Sequence, residues 1–272
     1  IFVLSFLDMP LVTLTTEWKP DDIYSGIIKG KLSSLYPGVT IVENASGIAA
    51  FDILHAAFVV RNTYLNYPEG SVHIICVHSE PVKKQDHLIV RAKGHFFIGT
   101  DNGIFSLILN GEPDEIIKID HDEDGDELDV FSKTAASLLS GRNASELGKP
   151  KAELVERMPL RATIESNTIT GSIIFIDSYG NAISNITREV FLRIFEKDDY
   201  RILIQSNKNY TRQIVRKYSE VAVGDLLTRF NSLGLLEIAI NGANISQLLS
   251  LGIGTVVRIE KVKETTAPGH LF

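Results

Sequence analysis

The hydrophobic pattern of the chain changes between Gly141 and Arg161, and this change constrains the fold more strongly than any other feature. Before it, short apolar runs alternate with stretches of helical periodicity, which is typical of an α/β domain. After it, β-branched runs are separated by turn signals about eight to twelve residues apart. The sequence therefore predicts an α/β domain with a largely parallel central sheet and flanking helices over residues 9–145, a linker over 146–161, and a smaller β-rich, barrel-like domain over 162–272.

Strands and helices alternate in the first part of the chain. Asp21 is the predicted N-cap of the first helix, and Gly141 stands at the C′ position after the third. The predicted helices are Ile23–Leu35, Phe51–Tyr64 and Val130–Ser140. The predicted strands are Leu11–Thr15, Val39–Val42, Val72–Val77, His87–Ala92, Phe96–Gly99 and Ile116–Ile119.

The second part of the chain is predicted to be mostly β-structure. Short helices are expected near Glu189 and Ile245. The predicted strands are Thr170–Asp177, Ala182–Ile186, Ile202–Gln205, Leu226–Phe230, Leu235–Ile240 and Thr255–Glu260.

The composition argues against several classes of partner. The chain has 272 residues with 27 basic and 34 acidic side chains, so no basic field attracts nucleic acid or anionic lipid, and neither is an expected partner. The apolar residues 1–7 are too few to span a bilayer. The only cysteine, Cys76, lies in an apolar run, which predicts a buried thiol and suits a reducing, cytoplasmic environment.

Three polar clusters follow apolar runs: Thr16–Trp18 with Asp22, Thr100–Gly103, and Asp177–Asn181. In an open parallel sheet, ligands bind outside the carboxyl ends of the strands, so the first two clusters are predicted to face one crevice. The alternative is turn chemistry, because Asp-Asn-Gly and Gly-Asn are common turn sequences.

The order of these clusters resembles that of the S-adenosylmethionine hydroxide adenosyltransferases, chlorinases and fluorinases. Residues 15–30 resemble the family's T-D-F-G-x-x-D-x-Y-V-G-x-x-K-G motif, and residues 51–58 resemble its F-D-V-x-x-A-A-F motif. Residues 99–103 are similar to G-P-D-N-G, 177–181 to D-x-F-G-N, and 231–239 to N-S-x-G-x-L-E-I-A. Each motif alone is weak, whereas five in order are specific.

The resemblance implies a homotrimer that binds S-adenosylmethionine between the α/β domain of one subunit and the β-rich domain of its neighbour. Glu17 would hold the ribose diol, since a carboxylate accepts two hydrogen bonds. Asp177 and Asn181 would contact the amino acid and the adenine. Trp18 and Tyr179 would offer aromatic faces, with core packing as the alternative. The remaining candidate ligand-binding residues are Asp22, Asp101, Asn102 and Ser232.

The chain departs from the family at the catalytic positions. The family's V-D-P-G-V-G-x-x-R motif aligns with residues 77–85, which puts His78 in place of the Asp and Gln85 in place of the Arg. Its H-G-R-D motif aligns with residues 126–129, which puts Asp126 in place of the His. His78, Gln85 and Asp126 are therefore the candidate catalytic residues.

Two explanations compete for this departure. In the first, the protein binds S-adenosylmethionine or adenosine without cleaving it. In the second, His and Asp have exchanged places, and His78, oriented by Asp126, activates water for attack at the ribose C5′. The products would then be adenosine and methionine, and halide chemistry is not expected.

A third hypothesis rests on the acidic run at residues 120–127. Asp120, Asp122 and Asp124, followed by Gly125, match the opening of a calcium-binding loop. The twelfth position is Phe131 rather than Glu, which favours a solvated acidic loop over a metal or interaction site. No metal and no cofactor is expected, with S-adenosylmethionine as substrate or ligand.

Overall fold

The computed structural model describes residues 11–80, 85–109, 111–121, 125–195 and 199–262. The chain forms two compact units that divide between Pro159 and Leu160. Each unit has its own sheet and its own hydrophobic core.

The first unit contains a mixed seven-stranded sheet with helices on both faces. Its strands are β1 Leu11–Thr16, β2 Thr40–Ala45, β3 Val72–Cys76, β4 His87–Ala92, β5 His95–Thr100, β6 Glu115–Ile119 and β7 Gly148–Pro150. Its helices are α1 Ile23–Leu35, α2 Ile53–Thr63, α3 Ile104–Ile108 and α4 Glu127–Leu139, with short 3-10 turns at Tyr64–Asn66 and Ala144–Glu146. The strand order is β2-β1-β3-β5-β4-β6-β7.

The parallel part of this sheet confirms the predicted α/β class. β2, β1, β3 and β5 run parallel to one another, while β4, β6 and β7 pair antiparallel. Successive residues of β3 point to opposite faces, so Ile74 packs into the core that includes α1 and α4, and Ile75 packs into the core that includes α2 and α3. Burial on both faces explains why this strand is a continuous apolar run.

Cys76 is fully buried, as predicted, and burial raises the pKa of its thiol well above the usual value. The thiol therefore stays protonated and packs as an apolar group.

The helix ends correct one detail of the sequence analysis. The N-cap of α1 is Asp22 and not Asp21, because the Asp22 carboxylate accepts a hydrogen bond from the backbone N–H of Tyr24. Gly141 follows α4 with a φ of 83°, which confirms its C-terminal role, since glycine adopts this left-handed conformation without strain.

The second unit is a nearly closed, barrel-like antiparallel sheet. Its strands are β8 Thr163–Glu165, β9 Thr168–Ile176, β10 Ala182–Thr187, β11 Tyr200–Ile204, β12 Ser206–Thr211, β13 Leu226–Phe230, β14 Leu235–Ile240 and β15 Val256–Lys261. Two helices, α5 Arg188–Phe195 and α6 Ile245–Leu248, and a 3-10 turn at Tyr218–Glu220 complete it. The strand order is β12-β11-β15-β9-β10-β14-β13, with β8 paired to β9. Beyond β12, Ile214 bridges to Thr228 of β13, so the two outer strands approach each other.

A pair of buried histidines lies in the first unit. His73 Nδ1 is 2.7 Å from Thr13 Oγ1, and His73 Nε2 is 3.2 Å from His95 Nδ1. Both imidazoles are 2% exposed. Burial, reinforced by the charge of His95, lowers the pKa of His73 to about 3, and burial also lowers the pKa of His95. Both rings are therefore neutral in the folded protein near neutral pH.

The buried His73 should make folding stability depend on pH. Its pKa rises to about 6.5 on unfolding, so its stabilising contribution is complete above that pH and is lost as the pH falls toward 3. Between about pH 7.5 and about pH 5.5, the wild type should lose about 1.4 kcal/mol more unfolding free energy than His73→Gln. Urea titrations followed by the fluorescence of Trp18, the single tryptophan, test this, and parallel pH curves for the two proteins would refute it.

Candidate functional site

The carboxyl ends of β1, β3 and β5 meet at one edge of the first sheet. The segments that follow these strands begin at Glu17, Val77 and Asp101. β6 runs antiparallel to β4, which runs antiparallel to β5, so β6 also ends at this edge. The N-terminus of α4 reaches the same place, because Ser79 Oγ lies 2.9 Å from Glu127 Oε1. We call this group of segments the carboxyl edge.

Glu17 follows β1 at the carboxyl edge and contacts the segments before α2 and after β3. Its Oε2 accepts a hydrogen bond from the backbone N–H of Phe51 at 2.6 Å, and its Oε1 accepts one from the backbone N–H of His78 at 3.2 Å. Each oxygen keeps a second lone pair for a further donor. The carboxylate is therefore held in place and can accept two hydrogen bonds from a ligand.

His78 follows β3 in a left-handed conformation with a φ of 49°. This conformation costs a residue other than glycine on the order of 1–2 kcal/mol, and such residues cluster at functional sites. The backbone of His78 is held on both sides, since its N–H donates to Glu17 and its C=O accepts from Asn102 Nδ2 at 2.9 Å. Its ring packs edge-on against Phe51, with a centroid distance of 5.2 Å. The structure thus brings together His78, Glu17 and Asn102, all predicted from the sequence.

Glu127 also lies at the carboxyl edge and was missed by the sequence analysis. It is half-buried, and its carboxylate accepts the hydrogen bond from the buried hydroxyl of Ser79. Burial raises the pKa of Glu127, and the charges of Asp126, Glu17 and Glu80 add to this effect, while the Ser79 hydrogen bond opposes it. The run of acidic residues before α4 was a signal, although their spacing could not indicate which carboxylate turns inward.

Asp126 is exposed and acts as the N-cap of α4. Its Oδ1 accepts a hydrogen bond from the backbone N–H of Leu128 at 3.1 Å. Gln85, the third predicted catalytic residue, is half-buried just before β4. The His87–Thr100 register pair of β4 and β5 puts this start of β4 beside the end of β5.

Asp101 and Asn102 are adjacent but have different surroundings. Asn102 connects the ends of β3 and β5 through its bond to His78. Asp101 is 0% exposed, its Oδ1 accepts from the backbone N–H of Val155 at 2.9 Å, and its Oδ2 lies 2.9 Å from Lys151 Nζ. Lys151 also pairs with Asp86 at 2.9 Å. The carboxylate of Asp101 is therefore occupied by contacts within the first unit.

Arg157 brings a guanidinium to the same edge. Its Nε donates to the backbone carbonyl of Asn102 at 3.2 Å, and its backbone N–H donates to Ser106 Oγ at 2.9 Å. The side chain covers Gly103, where an added Cβ would lie 2.5 Å from Arg157 Cγ. The sequence analysis did not identify this residue.

Trp18 and Asp22 have structural contacts in the first unit. The ring of Trp18 is half-buried, packs against the core and lies 5.6 Å from the ring of Tyr24. Asp22 caps α1. Whether either side chain also binds a ligand stays a prediction.

A second polar group lies in the second unit around Asp177. Its Oδ1 accepts from the backbone N–H groups of Tyr179 and Asn181, and its Oδ2 accepts from Asn181 Nδ2, all at 2.9 Å. Asn181 Nδ2 also donates to the hydroxyl of Tyr218 at 3.2 Å, and that hydroxyl donates to the buried Glu237. Both hydrogens of the Asn181 amide are thus used, and its Oδ1 is the atom that can accept a bond from a ligand.

The turn that carries Asp177 is exposed, and the side chain of Tyr179 is 79% exposed. Ser232 is also exposed, but the structure does not bring it to this group. Its turn lies at the other end of the β10–β14 pair, where Gly234 accepts a hydrogen bond from the backbone N–H of Arg188. Gly180 has a φ of 81°, and an added Cβ would lie 2.1 Å from the side chain of Asn244, so this position accommodates only glycine.

Two family models match the chain. The model for the N-terminal domain of the S-adenosylmethionine hydroxide adenosyltransferases matches residues 12–148, and the model for their C-terminal domain matches residues 171–258. This chain belongs to the S-adenosylmethionine hydroxide adenosyltransferase family. The family resemblance inferred from the five motifs is confirmed.

Relatives of this family cover almost the whole chain. A protein of Thermus thermophilus named (R)-S-adenosyl-L-methionine hydrolase is 26% identical in an alignment of 266 residues that covers 91% of this chain and 98% of the relative. A protein of the same name from Methanocaldococcus jannaschii is 25% identical, covering 89% of this chain and 93% of the relative. A crystal structure of a conserved protein from Thermotoga maritima has the same fold, with a TM-score of 0.83 at 22% identity, and covers 92% of this chain and 100% of that one.

The part of the chain that the structure describes contains neither a grouping of three or more His, Cys, Asp or Glu side chains suited to a metal ion nor a helix long and apolar enough to cross a membrane. The acidic run at residues 120–127, for which a solvated loop was predicted over a calcium site, includes residues 122–124, which lie outside the described residues.

Proposed function

We propose that this member of the S-adenosylmethionine hydroxide adenosyltransferase family binds S-adenosylmethionine at its carboxyl edge and hydrolyses it to adenosine and methionine. The observation that carries the proposal is the carboxylate of Glu17, held by two backbone N–H groups with two lone pairs still available. A vicinal diol presents two donors at matching spacing, so Glu17 suits the ribose. The names of the Thermus and Methanocaldococcus relatives support the same reaction.

The carboxylates around Glu127 at the carboxyl edge suit a cationic substrate. Burial and the nearby charges of Asp126, Glu17 and Glu80 raise the pKa of Glu127, so these four carboxyl groups lie close together. This negative potential would attract the sulfonium of the substrate. The attraction would weaken when the sulfur leaves as the neutral thioether of methionine. Because a thioether is a good leaving group, positioning of water in line with the C5′–S bond contributes more than strong base catalysis.

The polar group of the second unit supports recognition of the amino acid or the base. Asn181 Oδ1 can accept from an amino group, which both the methionine ammonium and the adenine exocyclic amine provide. The hydrogen bonds to Asp177 and Tyr218 orient the amide, so it needs no rearrangement before binding.

Incubation of the purified protein with S-adenosylmethionine, followed by chromatography of adenosine and methionine, tests the proposal. Both products should appear in equal amounts above a buffer blank, and titration calorimetry should detect S-adenosylmethionine binding. Binding without products would support the second candidate, an inactive nucleoside-binding protein, which the motif alignment favours because it predicts His78, Gln85 and Asp126 in place of the family's catalytic residues. If the protein neither bound S-adenosylmethionine nor formed products, both candidates would be refuted.

The homotrimer implied by the family resemblance stays a proposal. Light scattering coupled to size exclusion should give three times the chain mass of 30.1 kDa. A monomer at micromolar concentration would refute it. The cytoplasmic location expected from the single buried cysteine likewise stays a prediction.

A further inference from the structure

The hydrolysis of S-adenosylmethionine by water releases one proton. Water forms the new bond to C5′, the C5′–S bond breaks with its electron pair moving to sulfur, and one hydrogen of the water must be accepted by a base. The sequence suggests His78 for this role, with Asp126 orienting it. In the structure, however, the exposed carboxylate of Asp126 caps α4 through Leu128, and the neighbouring Glu127 is the residue at the start of α4 whose carboxylate reaches Ser79 after β3.

Glu127 has the surroundings of a positioned base. Ser79, which follows His78, donates its hydroxyl hydrogen to Glu127 Oε1 at 2.9 Å. Ser79 is itself held, because its backbone carbonyl accepts a hydrogen bond from Thr100 Oγ1 at the end of β5. The hydroxyl and carboxylate are therefore fixed by two neighbouring parallel strands and by the first turn of α4.

We propose that Glu127 accepts the proton of the attacking water, and that Ser79 positions its carboxylate by hydrogen bonding. The inference rests on the proposed hydrolysis. Glu127 Oε2 takes the water proton as the C5′–O bond forms, and it later releases that proton to solvent. Glu127 is thus the catalytic residue, and Ser79 is a positioning residue.

The electrostatic surroundings suit this role. Burial raises the pKa of Glu127, and among the described residues the negative charges of Asp126 before α4, Glu17 after β1 and Glu80 after β3 add to this effect. The buried thiol of Cys76 at the end of β3 also interacts with Glu127. A carboxylate with a raised pKa is a stronger base than an exposed one, and it is still ionised when the pH exceeds that pKa. Turnover should therefore rise with pH through the pKa of Glu127 and then level off.

Replacing Glu127 by Gln tests the inference in the full-length protein. Turnover of S-adenosylmethionine should fall roughly a hundredfold, its dissociation constant should change less than about twofold, and the rise of the rate with pH should disappear. Glu127→Asp should retain the rise with a shifted midpoint, which shows that lost activity does not reflect misfolding. Asp129→Asn is the matched control. It removes a carboxylate from the same first turn of α4, but this carboxylate pairs with Lys31 and not with Ser79.

Three results would decide against parts of this scheme. Full turnover in Glu127→Gln would overturn the role of Glu127 and leave the proposed hydrolysis intact. A lost pH dependence in His78→Ala, together with a retained one in Glu127→Gln, would assign the base to His78. Absence of adenosine from the wild-type protein would overturn the hydrolysis itself, and the inference with it.

Discussion

Replacing Glu17 by Ala should weaken S-adenosylmethionine binding about a thousandfold. Hydrogen bonds to a charged group contribute about 1.5–3 kcal/mol each, and two ribose hydroxyls would lose their shared acceptor. Since about 1.4 kcal/mol corresponds to a factor of ten, a loss near 4 kcal/mol gives that change. The backbone N–H groups of Phe51 and His78 would also lose their acceptor. Titration calorimetry with S-adenosylmethionine and with adenosine measures the effect.

Two further variants separate recognition from structure. Glu17→Gln keeps an acceptor oxygen but loses the charge, so it should bind with intermediate affinity. Glu43→Ala removes a glutamate of β2 that pairs with Lys29 at 3.5 Å, and it should bind like the wild type. If Glu17→Ala bound adenosine within about threefold of wild-type affinity, Glu17 would serve only to hold the loops after β3 and before α2.

The central strand β3 of the first unit could be predicted because its burial on both faces leaves a continuous apolar run. Elements without such a pattern were missed. α3 has only five residues, Ile104–Ile108, which is too short for a helical period, and β12 has the polar sequence Ser206–Thr211. β7 lies within the predicted linker, and its pairing with β6 depends on a neighbour more than 25 residues away. Long-range pairing of this kind leaves no local signal.

The candidate site shows the same limit at the level of single side chains. Parallel strands that end at one edge made the proximity of Glu17, His78 and Asn102 predictable. The choice between Asp126 and Glu127 depended on which of two adjacent carboxylates caps the helix and which turns toward Ser79. Asp21 and Asp22 posed the same ambiguity at α1. Adjacent acidic residues are equivalent in spacing, and the hydrogen-bond geometry that distinguishes them is tertiary.

Asp101 was predicted to bind a ligand, but its contacts indicate that replacing it would strongly lower the free energy of unfolding. Asp101→Asn keeps the size of the side chain and an acceptor for Val155, but it replaces the charge that faces Lys151. Removing one partner of a buried ion pair typically costs about 3–5 kcal/mol, because the remaining charge stays buried without full compensation. Lys151 keeps Asp86, so we expect about 3 kcal/mol. Urea unfolding followed by Trp18 fluorescence measures the loss in the first unit.

Asp120→Asn provides the matched control for this experiment. Asp120 also pairs with a lysine, Lys149, but both side chains are more than half exposed and the ions are 4.0 Å apart. An exposed pair contributes less than about 1 kcal/mol, so this variant should unfold near the wild-type urea midpoint. The two variants differ in burial while sharing the chemical change. Asp101→Asn could instead keep wild-type stability and lose affinity for S-adenosylmethionine. That result would support the predicted ligand-binding role of Asp101 and contradict a stabilising role of its pair with Lys151.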